Sequence, residues 1–373
     1  MRIARVKYVL GSEFYEPPAA HHALLQSATL YNGALQRNES PAPGQVPSAV
    51  WLDIVANLAY ALQSLGELVD EFGWVDVEHA LAFPMFGIAE LDSPSSLYAA
   101  AATLFGLTAQ GQLLVLSGAS DMGTSTGDDA SRPAPLGDES EAYTSSLVAP
   151  SSYLEMIAAQ LSSTISLIPH SQAESVAAIQ QDAVDALGRA DAYICSLVPG
   201  FGASQSPDGE WDAQISELKW ASISLRVSTA VRVSELGGVD ASLDDLCTEV
   251  LSAGEALLAA APPRESLTGV RLSGAEGSAA AKQTAEYEAT VERLSEVADH
   301  AHALGRALLR RAASAQCSSS LERAWEVCGF ASKCMLAAVA PLEPAGKGAS
   351  TARVSTAQSL NVPGAPMAWT GCI

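Results

Sequence analysis

The chain has 373 residues and carries 42 Asp+Glu against 20 Lys+Arg, a formal net charge of −22. Hydrophobic residues make up 48% of it and charged residues 17%, a balance that excludes wholesale disorder and provides for a well-buried core. Lysine is confined to Lys7, Lys219, Lys282, Lys333 and Lys347, and so acidic a chain is a poor candidate for tight nucleic-acid binding, whose affinity comes from Lys and Arg on phosphates.

Arg2–Leu10 alternates, with Ala4, Val6, Tyr8 and Leu10 opposite Arg5 and Lys7, and predicts a short half-buried strand. The same stretch lacks the apolar core of a signal peptide. A first helix follows Pro17–Pro18, with Leu24, Ala28, Tyr31 and Leu35 at helical spacing, and stops near Asn38 before the Pro/Gly loop Ser40–Pro47. Ser48 is the expected N-cap of the strongest element. There Trp51, Val55, Leu58, Leu62, Leu65, Val69 and Phe72 form one stripe that Gly73 ends. Its other face carries Ile54, Ala56 and Ala61, which predicts a central helix packed on several sides.

Asp76–Leu81 reads as a short helix and Phe83–Phe86 as a buried turn. Ser93–Pro94 opens a helix over Ser95–Phe105, and Leu113–Leu116 is a possible short strand. The longest near-apolar stretch, Leu97–Leu107, is too short for a membrane span. Ser117–Ser146 is rich in Gly, Ser, Thr, Asp and Pro and predicts an exposed, flexible acidic loop. Helices resume at Ser151–Ile168 and, behind the capping box Ser171-x-x-Glu174, through Ile194. Ala221–Val233 alternates strictly, Ala221, Ile223, Leu225, Val227, Thr229, Val231 and Val233 against mostly Ser and Arg. It is open to a strand or a helix. Ser242–Ala261 and Ala275–Ala312 are helical, and Ser319-x-x-Glu322 caps a last helix carrying Trp325, Cys328, Ala331, Met335 and Ala338. The expected organisation is an N-terminal helical part (1–116), an acidic loop (117–146), a second helical part (147–341) and an extended C-terminal arm (342–373), in a mainly α fold. The arm carries Met367, Trp369 and Ile373 and either clasps a neighbouring subunit or folds back on its own.

No catalytic, cofactor-binding or metal-ligating residues are predicted. Gly118-Ala-Ser120-Asp-Met122 departs from a nucleophile elbow at Met122. Gly200–Gln205 lacks the last glycine of a dinucleotide loop, and Gly346–Gly348 lacks the rest of a P-loop. Asp76-x-x-His79 and Asp299-x-x-His302 each put a carboxylate and an imidazole on one helix face, but a di-metal bundle site uses Glu-x-x-His with further Glu, so surface pairing is expected. His300 and His302 point apart, and His21–His22 needs no special role. Asp128–Asp129 and Asp244–Asp245 do not form the paired aspartate motifs of helical terpenoid synthases. The scattered cysteines Cys195, Cys247, Cys317, Cys328, Cys334 and Cys372 are expected to be reduced thiols of a soluble intracellular protein.

Tyr31–Ser40, the helix Trp51–Phe72, and the Pro84–Phe86 turn leading into Tyr98–Gln110 resemble the helical coat proteins of small double-stranded RNA viruses, partitivirus-like ones in particular. The resemblance implies a multi-helix shell-type domain with a mid-chain insertion. It also implies a homodimer that builds a closed icosahedral shell, localisation to the virion and host cytoplasm, and no enzymatic activity. The expected partner is the chain itself, with at most weak non-specific contact to RNA and no membrane. The acidic charge suits a shell that does not hold its duplex. A cytosolic helical scaffold or adaptor is the alternative, and an enzyme with its site inside a helical bundle is a third reading.

Overall fold

The computed structural model describes residues 2–38, 41, 45–73, 81–83, 88–121, 149–197, 212–238, 242–260, 278–315 and 318–339. The fold is mainly α. In chain order the helices are α1 (Arg2–Val9), α2 (Pro17–Leu35), α3 (Ala49–Phe72), α4 (Pro94–Asp121), α5 (Pro150–Leu167), α6 (Ala173–Leu197), α7 (Asp212–Glu235), α8 (Leu243–Ala260), α9 (Ser278–Ala315) and α10 (Ser318–Val339). A π-helical turn, Leu10–Phe14, follows α1, and a 3-10 turn, Ile168–His170, follows α5. Two short strands, β1 (Leu81–Phe83) and β2 (Ile88–Leu91), pair antiparallel with Leu81 opposite Leu91 and Phe83 opposite Ile88. The chain divides into two compact units, Met1–Leu246 with Ala307–Cys317, and Cys247–Arg306 with Ser318–Ile373.

In the larger unit α3 is the axis. The Ser48 hydroxyl accepts from the Trp51 amide at 3.2 Å, and Gly73 closes the helix at φ 76°, its amide donating to Val69. That left-handed conformation favours glycine. Between these ends α3 is buried nearly all round: Leu52, Val55, Leu58, Leu62 and Leu65 on one side, Ile54, Ala56, Ala59 and Ala61 on the others. Only the final residue of the predicted stripe departs, Phe72 being half exposed. α2 covers one side of α3 with Leu24, Ala28, Tyr31 and Leu35, and α4 covers another, with α5 packed behind α4. α7 and α6 complete the unit against α5.

Several local expectations are overturned, and one left open is resolved. Arg2–Val9 is a helix, not a strand. Ala4 is its buried residue, and the Ser27 hydroxyl donates to the Ala4 carbonyl at 2.9 Å. Docking on α2 therefore decides the period, where alternation over so few residues fits either. Leu113–Leu116 is not a strand and the helix does not stop at Phe105, because α4 runs unbroken to Asp121. With it, residues 117–121 of the predicted loop are helical. As one helix, Pro94–Ser117 is long and apolar enough to cross a membrane, which the shorter stretch Leu97–Leu107 is not. Here it packs between α3 and α5, with Leu97, Ala101, Leu104 and Phe105 fully buried. The ambiguous Ala221–Val233 is helical within α7. Its small Ser224, Thr229 and Ala230 are buried beside Leu225 and Val227, so the helix packs closely on more than one side.

Capping also differs from expectation at two starts. α6 begins at Ala173, with the Gln172 carbonyl accepting from Val176, while the Ser171 hydroxyl turns back to the Leu167 carbonyl at 2.9 Å. α10 begins at Ser318, which leaves Ser319 inside the helix. Leu81, expected at the end of a short helix, lies in β1, and 76–80 and the turn at 84–86 are outside the described residues. So are most of the predicted acidic loop (122–148) and the predicted arm (342–373).

In the smaller unit α8, α9 and α10 pack together. A Cβ on Gly254 of α8 would approach Val297 of α9 at 2.7 Å and the Phe330 ring of α10 at 2.6 Å, so the three helices meet where glycine leaves room. The buried stripe of α10 is Ser320, Ala324, Val327, Ala331, Cys334 and Ala338. This corrects the expected stripe, because Trp325 and Met335 lie outside it.

If α3 is the axis, Leu62→Ala should cost about 2–5 kcal/mol through the cavity it leaves. Phe72→Ala, at the exposed end of the same stripe, should cost well under half of that. Urea unfolding followed by circular dichroism measures both, and equal losses would show that α3 is not buried as described.

Candidate functional site

A cluster among the described residues that gathers titratable side chains from distant parts of the sequence sits where the C-terminal half of α3 meets α4 and the turn after α5. Gln63, Glu67 and Asp70 recur along one face of α3 at helical spacing. Tyr98 comes from the first turns of α4, and His170 from the 3-10 turn. The His170 Nε2 lies 3.4 Å from the Asp70 Oδ2, and the imidazole stacks on the Tyr98 ring at 6.0 Å and 29°. Tyr98 is buried against Gly66, where a Cβ would come within 2.9 Å of its ring. Gln63 Nε2 donates to Glu67 Oε1 and to Ser162 Oγ of α5, both at 3.3 Å.

Two members of this cluster, Tyr98 and Glu67, are shifted toward their neutral forms. Desolvation by the packed helices raises the Tyr98 phenol well above its ordinary value, and the Asp70 and Glu67 carboxylates raise it further. Desolvation also raises Glu67, against the hydrogen bond from Gln63. A phenol pushed up is a proton holder and not a nucleophile. The Asp70–His170 pair is partly open to solvent, with side chains 47% and 28% exposed, so its worth is that of a surface pair. What the arrangement does is fasten α3 to α4 and to the α5–α6 turn.

Arg232 fastens the same turn from the other side. Its Nε and Nη2 donate to the Ser171 carbonyl at 2.9 and 2.7 Å, and Glu235 links Arg232 to Arg310 of α9. This use of a guanidinium fork on one carbonyl satisfies a group left over where α5 ends.

The motifs singled out in the sequence do not converge. Gly118–Asp121 is the end of α4 and not a strand-to-helix elbow. Met122, Asp128–Asp129, Gly200–Gln205, Gly346–Gly348 and Asp76–His79 lie outside the described residues. Asp244, in the first turn of α8, pairs with Arg311 at 2.7 Å. His21 and His22 meet edge to face at 6.4 Å, and burial, then His22, pushes the His21 imidazole down. Asp299 is raised by burial, an effect His302 opposes, which puts those two in electrostatic reach of each other. Among the described residues no three His, Cys, Asp or Glu converge as a metal set. Cys195, Cys247, Cys328 and Cys334 are free thiols. The Asp70–Tyr98–His170 group carries no sequence signal, since its members belong to three elements.

His300 gives the smaller unit a pH dependence. Burial, then Arg293, lowers its imidazole from 6.5 to about 4. The folded state therefore favours the neutral ring, and the stability this represents is present above about pH 6.5 and is lost as pH falls toward 4. His300→Gln should flatten that loss by about 2 kcal/mol between pH 7 and pH 4, read from urea midpoints. An unchanged pH profile would show that the ring ionises freely in the fold.

No family model, no curated protein and no solved structure matches this chain.

Proposed function

We propose that the protein is a self-associating structural subunit, the coat protein of a closed shell around a double-stranded RNA genome. The observation that supports this most is the width of the apolar arc on α10. One position after each of its core residues stands a second stripe: Leu321, Trp325, Cys328, Ser332 and Met335, joined by Leu336. A step of one residue turns a helix by about 100°, so this stripe flanks the buried one; Cys328 still packs on Gly305 of α9, while Leu321, Trp325, Met335 and Leu336 stay outside the bundle. Trp325 is 54% exposed and Leu336 68%. Contiguous apolar surface of this kind marks an interaction site.

The chemistry of the core supports a structural role as well. The titratable cluster on α3, α4 and the α5–α6 turn fastens helices, and its phenol and Glu67 are both shifted toward their neutral forms. The net charge of −22 suits a lining that repels a duplex, so that the RNA stays free to move inside the shell. In this reading the chain partners itself, localises to the virion and host cytoplasm, and needs no cofactor.

The test is size-exclusion chromatography with light scattering on the full-length chain, with electron microscopy of the eluted species. A closed particle in the megadalton range is expected, and Leu321→Glu with Leu336→Glu should yield a smaller species of unchanged helicity. A clean monomer at all concentrations would overturn the proposal and favour the scaffold or adaptor.

A further inference from the structure

We propose that the outward face of α1 is a contact surface for a second copy of this chain, and that it seats on the acidic outer face of α6. This rests on the self-association proposed above and names one of its contacts.

Folding Arg2–Val9 as a helix gathers residues that a strand would separate. Ala4 faces α2, and a Cβ on Gly11 would collide with the Leu24 side chain at 2.9 Å, so the segment is seated firmly. The side turned away carries Arg2, Ile3 and Val6, with Arg5 at its edge in electrostatic reach of the buried Tyr31 of α2, and Phe14 follows in the π-helical turn. Ile3 is 69% exposed, Val6 56% and Phe14 69%. Arg2, Arg5 and Lys7 make no ion pair among the described residues. The other arginines with described side chains on α7, α9 and α10 are largely engaged: Arg232, Arg293, Arg310, Arg311 and Arg323 each hold a carboxylate. In a chain with 42 acids, three clustered cations beside exposed Ile and Val are the exception.

The complement lies on α6. Its outer face exposes Glu174, Asp182, Asp185 and Asp191, none of them in an ion pair among the described residues, with the half-buried Arg189 as the one cation beside them. Between them stand Ala177, Ala178, Val184, Gly188 and Ala192, with Ala177, Val184 and Ala192 exposed, and a Cβ on Gly188 would meet nothing within 4 Å. Small side chains let a second helix approach closely. Asp182 and Asp185 have the same i, i+3 spacing as Arg2 and Arg5, so one turn of α1 can match one turn of α6. Two bodies that each carry −22 repel, and contact needs a place where opposite charges meet. A duplex RNA would take the arginines but leave Ile3, Val6 and Phe14 in water. An anionic bilayer would meet Glu13 and Glu16 beside Phe14 and Tyr15, and eight residues make a short interfacial helix. The second copy satisfies both the charge and the apolar surface. Because α1 and α6 are different patches, reciprocal contacts close a two-fold dimer and one-way contacts propagate around a ring or shell.

The test uses the full-length chain in sedimentation velocity at low salt and at about 0.5 M salt, where charge contacts are screened, with helicity checked by circular dichroism. Arg2→Glu with Arg5→Glu should weaken association at least about tenfold, and so should Asp182→Lys with Asp185→Lys. Combining all four substitutions in one chain should restore it, and salt should weaken the wild type. A wild type that assembles while both charge variants assemble equally well overturns this contact and leaves self-association standing. A wild type that stays monomeric overturns both. Flotation with vesicles of phosphatidylcholine and phosphatidylserine, lost in Arg2→Glu/Arg5→Glu while assembly is unchanged, would assign the surface to a membrane and overturn the inference. Duplex RNA retention lost in the same way would assign it to nucleic acid.

Discussion

Everything in the larger unit depends on the burial of one helix from nearly every direction. α3 carries Leu and Val on its main face and alanines and Ile54 on the others, so no single neighbour can dry it. It needs α2 on one side and α4 on another, and α4 in turn needs α5. The hydrophobic effect has no direction, and what gives the unit its order is that each successive helix supplies the surface its predecessor lacks. Tyr98 lying on Gly66 shows how close that approach is. A side chain at position 66 would force α4 away from α3, and the turn carrying His170 would lose its seat.

Charge has the opposite distribution. Carboxylates outnumber cations about two to one and, on α6, face solvent. Cations are scarce and are placed between elements: Arg232 on the Ser171 carbonyl, Arg310 on Glu235, Arg311 on Asp244, Arg323 on Thr248. Arginine suits these positions because its fork reaches two acceptors, or one acceptor twice, from a single side chain. The three cations of α1 share the lack of a carboxylate partner among the described residues with Arg37, Arg189, Lys219 and Lys333, but they alone stand together beside exposed Ile3 and Val6, and that is why the face invites a partner.

The helices with long one-sided stripes are legible in the sequence. α2, α3 and α9 have apolar residues that recur over many turns, and Ser48 and Gly73 mark the ends of α3. The shortest elements are not legible. Arg2–Val9 has too few residues for period two and period 3.6 to diverge, and its Ala4, a residue with no strong preference for strands, decides the matter by docking on α2. In α4 the apolar residues are so dense that no stripe stands out, and a buried helix then reads as fragments. In α10 the stripe reads correctly at Ala331 and Ala338 and one residue off at Trp325, Cys328 and Met335 for a related reason, since two adjacent apolar rows offer two equally regular solutions. The Asp70–Tyr98–His170 group leaves no trace there, because only the packing of α3, α4 and α5 brings positions 70, 98 and 170 together.

The helical state of Ala221–Val233 has a consequence for how the chain reaches its fold. Its alternation of apolar and small polar residues is a strand pattern, and its helicity comes from lying on α5 and α6. Until those helices are in place, during synthesis or refolding, the segment presents a β-prone edge to any other chain nearby. Arg226 and Arg232 interrupt the pattern on one face, and like charges stacked in register oppose such pairing. The same Arg232 later holds the Ser171 carbonyl. One side chain thus guards the segment against misassembly while it is free and secures it once it has docked.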